Sequence, residues 1–162
     1  MTRSEGTPAR PPGVLLRVPP PVWLLVSLVA AFAVHRFVVT PVILRSLPAA
    51  IALIAAGFAV AVWGATTFSR AGTELNPTSE SNARLVTAGP FRYTRNPMYS
   101  GVTLVSLGVA VFFGTLPFFV ASVLLFLFVN SVFIPFEEAR MERQFGAEFR
   151  AYKSRVRRWG IV

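Results

Sequence analysis

The chain has no cysteine, a single histidine and only seven acidic residues among 162. Without cysteine there is no disulfide, no thiol nucleophile and no thiolate-held metal. The lone His35 leaves no imidazole cluster for zinc, so no metal site is expected. Charge is scarce as well: Asp, Glu, Lys and Arg make up 14% of the residues, against about 25% in ordinary soluble domains. Nowhere does a strand run into a Gly-x-Gly turn and a helix, which excludes the dinucleotide-type cofactor site of soluble enzymes. Apolar side chains are what the chain has in plenty, 54% of the total. These proportions define an integral membrane protein.

The apolar residues come in runs. Residues 19–34 are apolar and closed by His35 and Arg36, residues 46–69 carry no charge, and neither do residues 96–136. At about 1.5 Å per helical residue the last run is roughly 60 Å long, twice the ~30 Å hydrocarbon core, so it has to cross twice. Gly114 and Pro117 near its middle supply the turn, because glycine permits unusual dihedrals and proline cannot continue a helix from within. The expected fold is all-α and polytopic, with four transmembrane helices at about 22–39, 47–68, 99–114 and 117–136. The last two form a helical hairpin, and a C-terminal amphipathic interfacial helix follows.

Residues 1–18, with Pro8, Pro11, Pro12 and Gly13, are too polar and proline-rich to pack and read as a disordered N-terminal tail. Residues 19–162 read as a single transmembrane domain, since halving four spans would leave neither half a core. Ala31-Phe32-Ala33 resembles a signal-peptidase site, but an uncleaved first span suits the membrane-embedded remainder better.

The formal charge is +9, and its distribution carries the information. With four spans, every Lys and Arg except Arg36 and Arg45 falls on one side of the membrane. The positive-inside rule then places both termini and the 69–99 loop in the cytoplasm. The basic excess orients the protein and meets anionic lipid heads; no recognition fold sets it against a groove, so no nucleic acid is expected as partner.

Beyond the hairpin, Met141, Phe145, Phe149, Tyr152, Val156 and Trp159 recur at helical spacing on one face, with Gly146 marking a bend. Such a helix either anchors the protein at the interface or folds over the preceding loop and closes a pocket.

Two polar clusters flank the hairpin. The first is the loop Gly89-Pro90-Phe91-Arg92-Tyr93-Thr94-Arg95-Asn96-Pro97-Met98-Tyr99-Ser100-Gly101; the second is the acidic pair Glu137 and Glu138. The two prolines bias Gly89 and Asn96 towards extended geometry. The loop serves equally as an aromatic-and-arginine interfacial belt or as a grip for a nucleoside and a carboxylate. Neighbouring helical residues differ by about 100°, so one glutamate can face the bundle while the other faces water or basic partners. The hairpin returns both clusters to one membrane face.

Leu85-Val86-Thr87-Ala88-Gly89-Pro90-Phe91-Arg92-Tyr93, then Arg95-Asn96-Pro97-Met98-Tyr99-Ser100-Gly101, then Glu137-Glu138, Phe145-Gly146 and Tyr152 stand in an order and spacing that resemble the isoprenylcysteine carboxyl methyltransferase family. That family is related in architecture to the phospholipid methyltransferases. The resemblance implies S-adenosyl-L-methionine as cofactor, bound at the cytoplasmic side between the loop, the last two spans and the C-terminal helix. Carried over by position, it implies cofactor contacts at Ala83, Arg84, Leu85, Val86, Phe91, Asn96, Tyr99, Glu137 and Glu138, with Asn76 a weaker candidate. Arg95 and Glu138 are the candidates for a catalytic role.

Two departures stand out. Many family members have histidine where this chain has Asn96, an amide that cannot carry a proton at neutral pH. The arginine with which prenylcysteine enzymes hold the substrate carboxylate, about one turn before the acidic pair, is Phe133 here. The expected reaction is in-line methyl transfer to a lipophilic small molecule or lipid, with the bilayer as the other partner; the sequence does not set the oligomeric state. The competing reading is a non-enzymatic four-helix transporter or binding protein, for which the spans offer only Asn130 and the interface-level His35 and Arg36.

Overall fold

The computed structural model describes residues 14–71 and 84–160. These form α1 (Val14–Arg17), α2 (Pro20–Phe37), α3 (Leu47–Arg70), a 3₁₀ turn (Gly89–Arg92), α4 (Pro97–Phe113), α5 (Leu116–Phe128), a π-helical segment (Val129–Phe133) and α6 (Ile134–Arg155). No strand occurs among the described residues beyond one isolated bridge, Val42 with Thr115. Each of α2, α3, α4 and α5 opens with a proline in its first turn. There the missing N–H has no partner to lose and the fixed φ suits the helix.

Three helices are long and apolar enough to cross a bilayer: α2, α3 and the continuous rod from Leu116 to Arg155; α4 is a shorter apolar helix. Only 6% of α2 is buried within the protein, and Leu25, Val29, Phe58, Val123 and Leu124 are all more than half exposed. A soluble protein rarely shows so broad an apolar face, and lipid is the solvent that accommodates it.

Several boundaries differ from the sequence reading. The first apolar helix, expected at 22–39, runs from Pro20 to Phe37. It stops because Val38 turns extended, at φ −116° and ψ 124°, where β-branched residues lead into Pro41. Residues 1–13 of the expected disordered tail lie outside the described residues. Val14–Arg17 is a helical turn instead: Trp23 Nε1 donates to the Leu15 carbonyl at 3.3 Å, and Leu16 packs into the core around Tyr99. The fourth span, expected to end at 136, continues unbroken into α6. Pro135 lies just past the join and would collide with a carbonyl one turn back in a regular helix. The chain widens instead, with the Ile134 N–H reaching back five residues to the Val129 carbonyl.

α3 and α4 make the closest helix pair. A Cβ on Gly57 would stand 2.7 Å from the Gly101 carbonyl oxygen, and one on Gly108 would stand 2.6 Å from Ile54 Cγ1. Small residues thus let two backbones meet where lipid offers no hydrophobic drive, and dispersion does the holding. The α4–α5 hairpin closes at Gly114, whose φ of 75° is left-handed. Its carbonyl accepts from the Ile43 N–H at 2.7 Å, which docks the turn on the α2–α3 connection. Phe113 and Phe118 stack at 4.0 Å beneath the turn, and Ser106 and Ser122 share a buried hydrogen bond of 2.8 Å between the two helices.

Candidate active site

At the end of the bundle away from the Gly114 turn, the polar loop is built against α3. Gly89 has φ 60°, and a Cβ there would meet Thr67 Oγ1 at 2.9 Å, so the chain turns directly on the α3 surface. The 3₁₀ turn buries Pro90 and Phe91. The Phe91 ring meets Phe68 edge-on at 4.9 Å, and its carbonyl accepts a 2.7 Å hydrogen bond from Tyr152 Oη of α6. Phe149 and Tyr152 pack with Val86 and Phe91. The second half of α6 therefore folds over the loop, its exposed face carrying Arg150, Lys153 and Arg155.

Two bends shape that cover. Gly146 takes φ 50° and ψ −117°, splitting α6 where the sequence expects a bend. The helical face expected to continue through Val156 and Trp159 ends sooner: Val156 is already extended, at φ −120° and ψ 127°. Residues 156–160 run back as a strap along residues 93–96. The Arg95 N–H donates to the Arg157 carbonyl (3.0 Å), and Thr94 Oγ1 and Asn96 Nδ2 both donate to the Arg158 carbonyl (2.7 and 3.2 Å). At Gly160, φ 72°, a Cβ would stand 2.8 Å from the Tyr93 carbonyl.

The acidic pair divides its work. Glu137 Oε1 accepts from Tyr99 Oη at 2.7 Å. Glu138 is clamped from two directions: Arg95 Nη2 donates to Oε1 at 2.7 Å and Arg158 Nη2 to Oε2 at 2.8 Å, with Lys153 Nζ at 3.9 Å. Both carboxylates lie past the uncharged stretch that ends at Phe136. Burial raises the affinity of Glu137 for its proton, and the Tyr99 hydrogen bond and the nearby Arg140 oppose this only in part, so its carboxyl sits above the usual carboxylate range. Burial acts on Glu138 in the same sense, but the hydrogen bonds and charges of Arg158 and Arg95 outweigh it and hold that carboxyl below the range. Two neighbouring glutamates thus differ in proton affinity, a difference that recurs where acids have separate tasks.

A cavity of about 530 Å³ opens beside the loop, lined by Trp63, Thr67, Arg70 and Ala71 of the α3 end and by residues 84–89. Of the residues expected to touch a cofactor, Arg84, Leu85 and Val86 line it. Phe91 is buried under α6, and Tyr99 and Glu137 pair with each other. The Asn96 amide is taken up by the strap. Ala83 and Asn76 lie outside the described residues. The single cradle expected between loop, last spans and C-terminal helix therefore resolves into a cavity at the α3 end and a carboxylate cluster under the strap. α3 enters because its final turns, generic in hydropathy, come to lie beside the loop.

Phe133 is 1% exposed and packs with Tyr99 and Phe128 at ring distances of 6.3 and 5.5 Å. The sequence reading missed Arg158, because charge spacing alone does not reveal that the chain doubles back. It also missed Trp63 and Thr67, which only tertiary contact brings to the loop.

An all-helical membrane protein that gathers an arginine-rich loop, a tyrosine–carboxylate pair and a cavity at one end has the make-up of a membrane enzyme. The chain belongs to the phospholipid methyltransferase family, whose profile matches residues 46–148. The match runs from the start of α3 past the acidic pair, over half the chain, and places the protein among membrane methyltransferases. No curated protein and no solved structure matches the chain significantly.

Proposed function

We propose that the chain is an integral membrane methyltransferase dependent on S-adenosyl-L-methionine, with four spans and a C-terminal interfacial helix, transferring a methyl group to a small lipophilic acceptor at the cytoplasmic face. The observation that carries this reading is the 2.7 Å pairing of Tyr99 with Glu137 across the hairpin, at the same end of the bundle as a cavity of about 530 Å³ lined by the α3 end and residues 84–89. α4 counts as the fourth span because its 17 residues reach about 25 Å, short of the hydrocarbon core by an amount that slight bilayer thinning absorbs. The cytoplasmic orientation follows from the arginines gathered at the site end.

The residues present suit the cofactor. A cavity of this size falls within the range of small-molecule sites, and Trp63 with the 84–89 backbone offers both an aromatic surface and hydrogen-bonding groups. Arg84, Leu85 and Val86 would hold one part of the donor. Glu137 has acceptor capacity beyond its bond to Tyr99, suited to hydroxyl or ammonium groups. When bound, the cofactor supplies a sulfonium methyl that an acceptor lone pair takes by in-line displacement, with the sulfur leaving as a neutral thioether. No covalent enzyme intermediate is needed, so the protein acts by orienting the partners and excluding water. Tyr99 aims the Glu137 carboxylate, Arg95 and Arg158 hold the helix that bears it, and apolar Phe133 disfavours a prenylcysteine carboxylate as acceptor. An acceptor that already carries a free lone pair requires no general base.

The test is equilibrium binding of radiolabelled S-adenosylmethionine to the detergent-purified chain, paired with transfer of label into lipid extracts. Both activities are expected of the wild type, with Glu137→Gln losing them. A wild-type chain that neither binds nor transfers label would end this reading in favour of a binding or transport role.

A further inference from the structure

Arg158, which no spacing in the sequence points to, joins the loop, the acidic pair and the π segment. Its carbonyl takes the loop hydrogen bonds of Thr94 and Asn96, and its guanidinium grips both Glu138 oxygens, Nε to Oε1 at 3.3 Å and Nη2 to Oε2 at 2.8 Å. Nη1 then extends to Asn130, at 3.3 Å from Oδ1 and 3.4 Å from the backbone carbonyl. Trp159 Nε1 donates to the same Asn130 Oδ1 at 3.0 Å while its ring packs on Phe126 at 4.9 Å.

The backbone explains why the strap is received at this point. In the π segment the Ile134 N–H is given to Val129. The next residue, Pro135, has no N–H to give to the Asn130 carbonyl, and Arg158 serves it instead. Asn130 thus offers two oxygens, one from the side chain and one from the main chain, inside an uncharged stretch.

We propose that Asn130, Arg158 and Trp159 are positioning residues for methyl transfer, with Asn130 acting as the hook on which the C-terminal strap hangs. With the strap hooked, Arg158 and Arg95 close on Glu138 and fix the rotation of the helix, and that rotation sets Glu137 against Tyr99. The inference rests on the reading of the Tyr99–Glu137 cluster as part of a methyl-donor site. It goes beyond that reading by assigning a function to a polar residue within the apolar run and to the end of the chain.

The test uses the full chain in nanodiscs with Asn130→Leu, Asn130→Asp and Trp159→Phe. Asn130→Leu matches the apolar surroundings and removes the side-chain hook; kcat/KM for S-adenosylmethionine is expected to fall roughly 100-fold, as for a misplaced reacting group. Asn130→Asp keeps an acceptor for both donors and is expected to retain near-normal kinetics, a rescue that loss of packing alone would not produce. Trp159→Phe keeps a smaller aromatic ring and loses the N–H donor, and is expected to fall between the two. Hydrogen exchange at the Arg95 amide, which donates to the strap, reads the same hook without any turnover. Exchange should speed up in Asn130→Leu and not in Asn130→Asp. Wild-type exchange and kinetics in Asn130→Leu would overturn the inference, as would equal impairment of the Leu and Asp variants. A wild-type chain without donor-dependent transfer would overturn the functional reading instead, and the exchange comparison would still decide the hook.

Discussion

Replacing Glu138 with alanine removes the acid on which Arg95 and Arg158 converge. The Arg95 and Glu138 side chains are each 10% exposed, whereas Arg158 is 31% exposed. Breaking a buried pair by deleting one partner costs about 3–5 kcal/mol, and the partial exposure of Arg158 brings the expectation down to about 2–3 kcal/mol. In a chain of this size that is roughly 5–10 °C in the unfolding midpoint. The assay is thermal unfolding of the purified chain in detergent, with Glu142→Ala as comparison. Glu142 makes its ion pairs at 3.8 Å with Arg150 and Lys153 through side chains 38–62% exposed, so its loss should cost within about 0.5 kcal/mol and fade with salt. Midpoints for the two variants that cannot be told apart would refute the reasoning, because solvent would then already screen the clamp.

Other outcomes follow from the same contacts. Since the clamp holds the Glu138 carboxyl below its ordinary value of 4.5, the stability it contributes should be full above that pH and drain away as the pH falls through the depressed value; Glu138→Gln should flatten this acid limb of a midpoint-against-pH curve. Tyr99→Phe deletes a hydrogen bond to a carboxylate, and donor binding measured with radiolabel should weaken about tenfold or more with the fold intact. Gly101→Leu drives a side chain into the α3 backbone, where even a Cβ would stand 2.7 Å from that of Ala61; a midpoint loss on the scale of overpacking, about 1–3 kcal/mol or more, is expected.

The all-helical, membrane-spanning character is readable in the sequence because lipid imposes it. Uncharged runs of set length, a left-handed glycine at 114 and prolines at helix starts are local signals, and the return of Glu137 to Tyr99 follows from their arithmetic. The strap leaves no such trace. Nothing in Arg155-Val156-Arg157-Arg158 stops a helix by composition, and the turn-prone Gly160 comes five residues after the helix has ended. The termination is tertiary: loop donors at Thr94, Arg95 and Asn96 take the carbonyls of Arg157 and Arg158. The seam of Gly57 and Gly101 was within reach of sequence reasoning, as small residues recurring at helical spacing, but hydropathy is blind to it. The displacement of Arg84, Leu85 and Val86 towards Trp63 was not, because no local rule says which span a loop leans on.

The rod that runs from Leu116 through the widened turn to the carboxylates has a mechanical consequence. One end of it is embedded in hydrocarbon and the other carries Glu137, with no flexible joint before Gly146. A thinner bilayer would incline the lower part of the rod and swing its acidic end through an arc, while Tyr99 moves with a different helix. The Glu137 end thus has no joint of its own, and any reorientation of the apolar part of the rod is passed directly to the carboxylate that meets Tyr99.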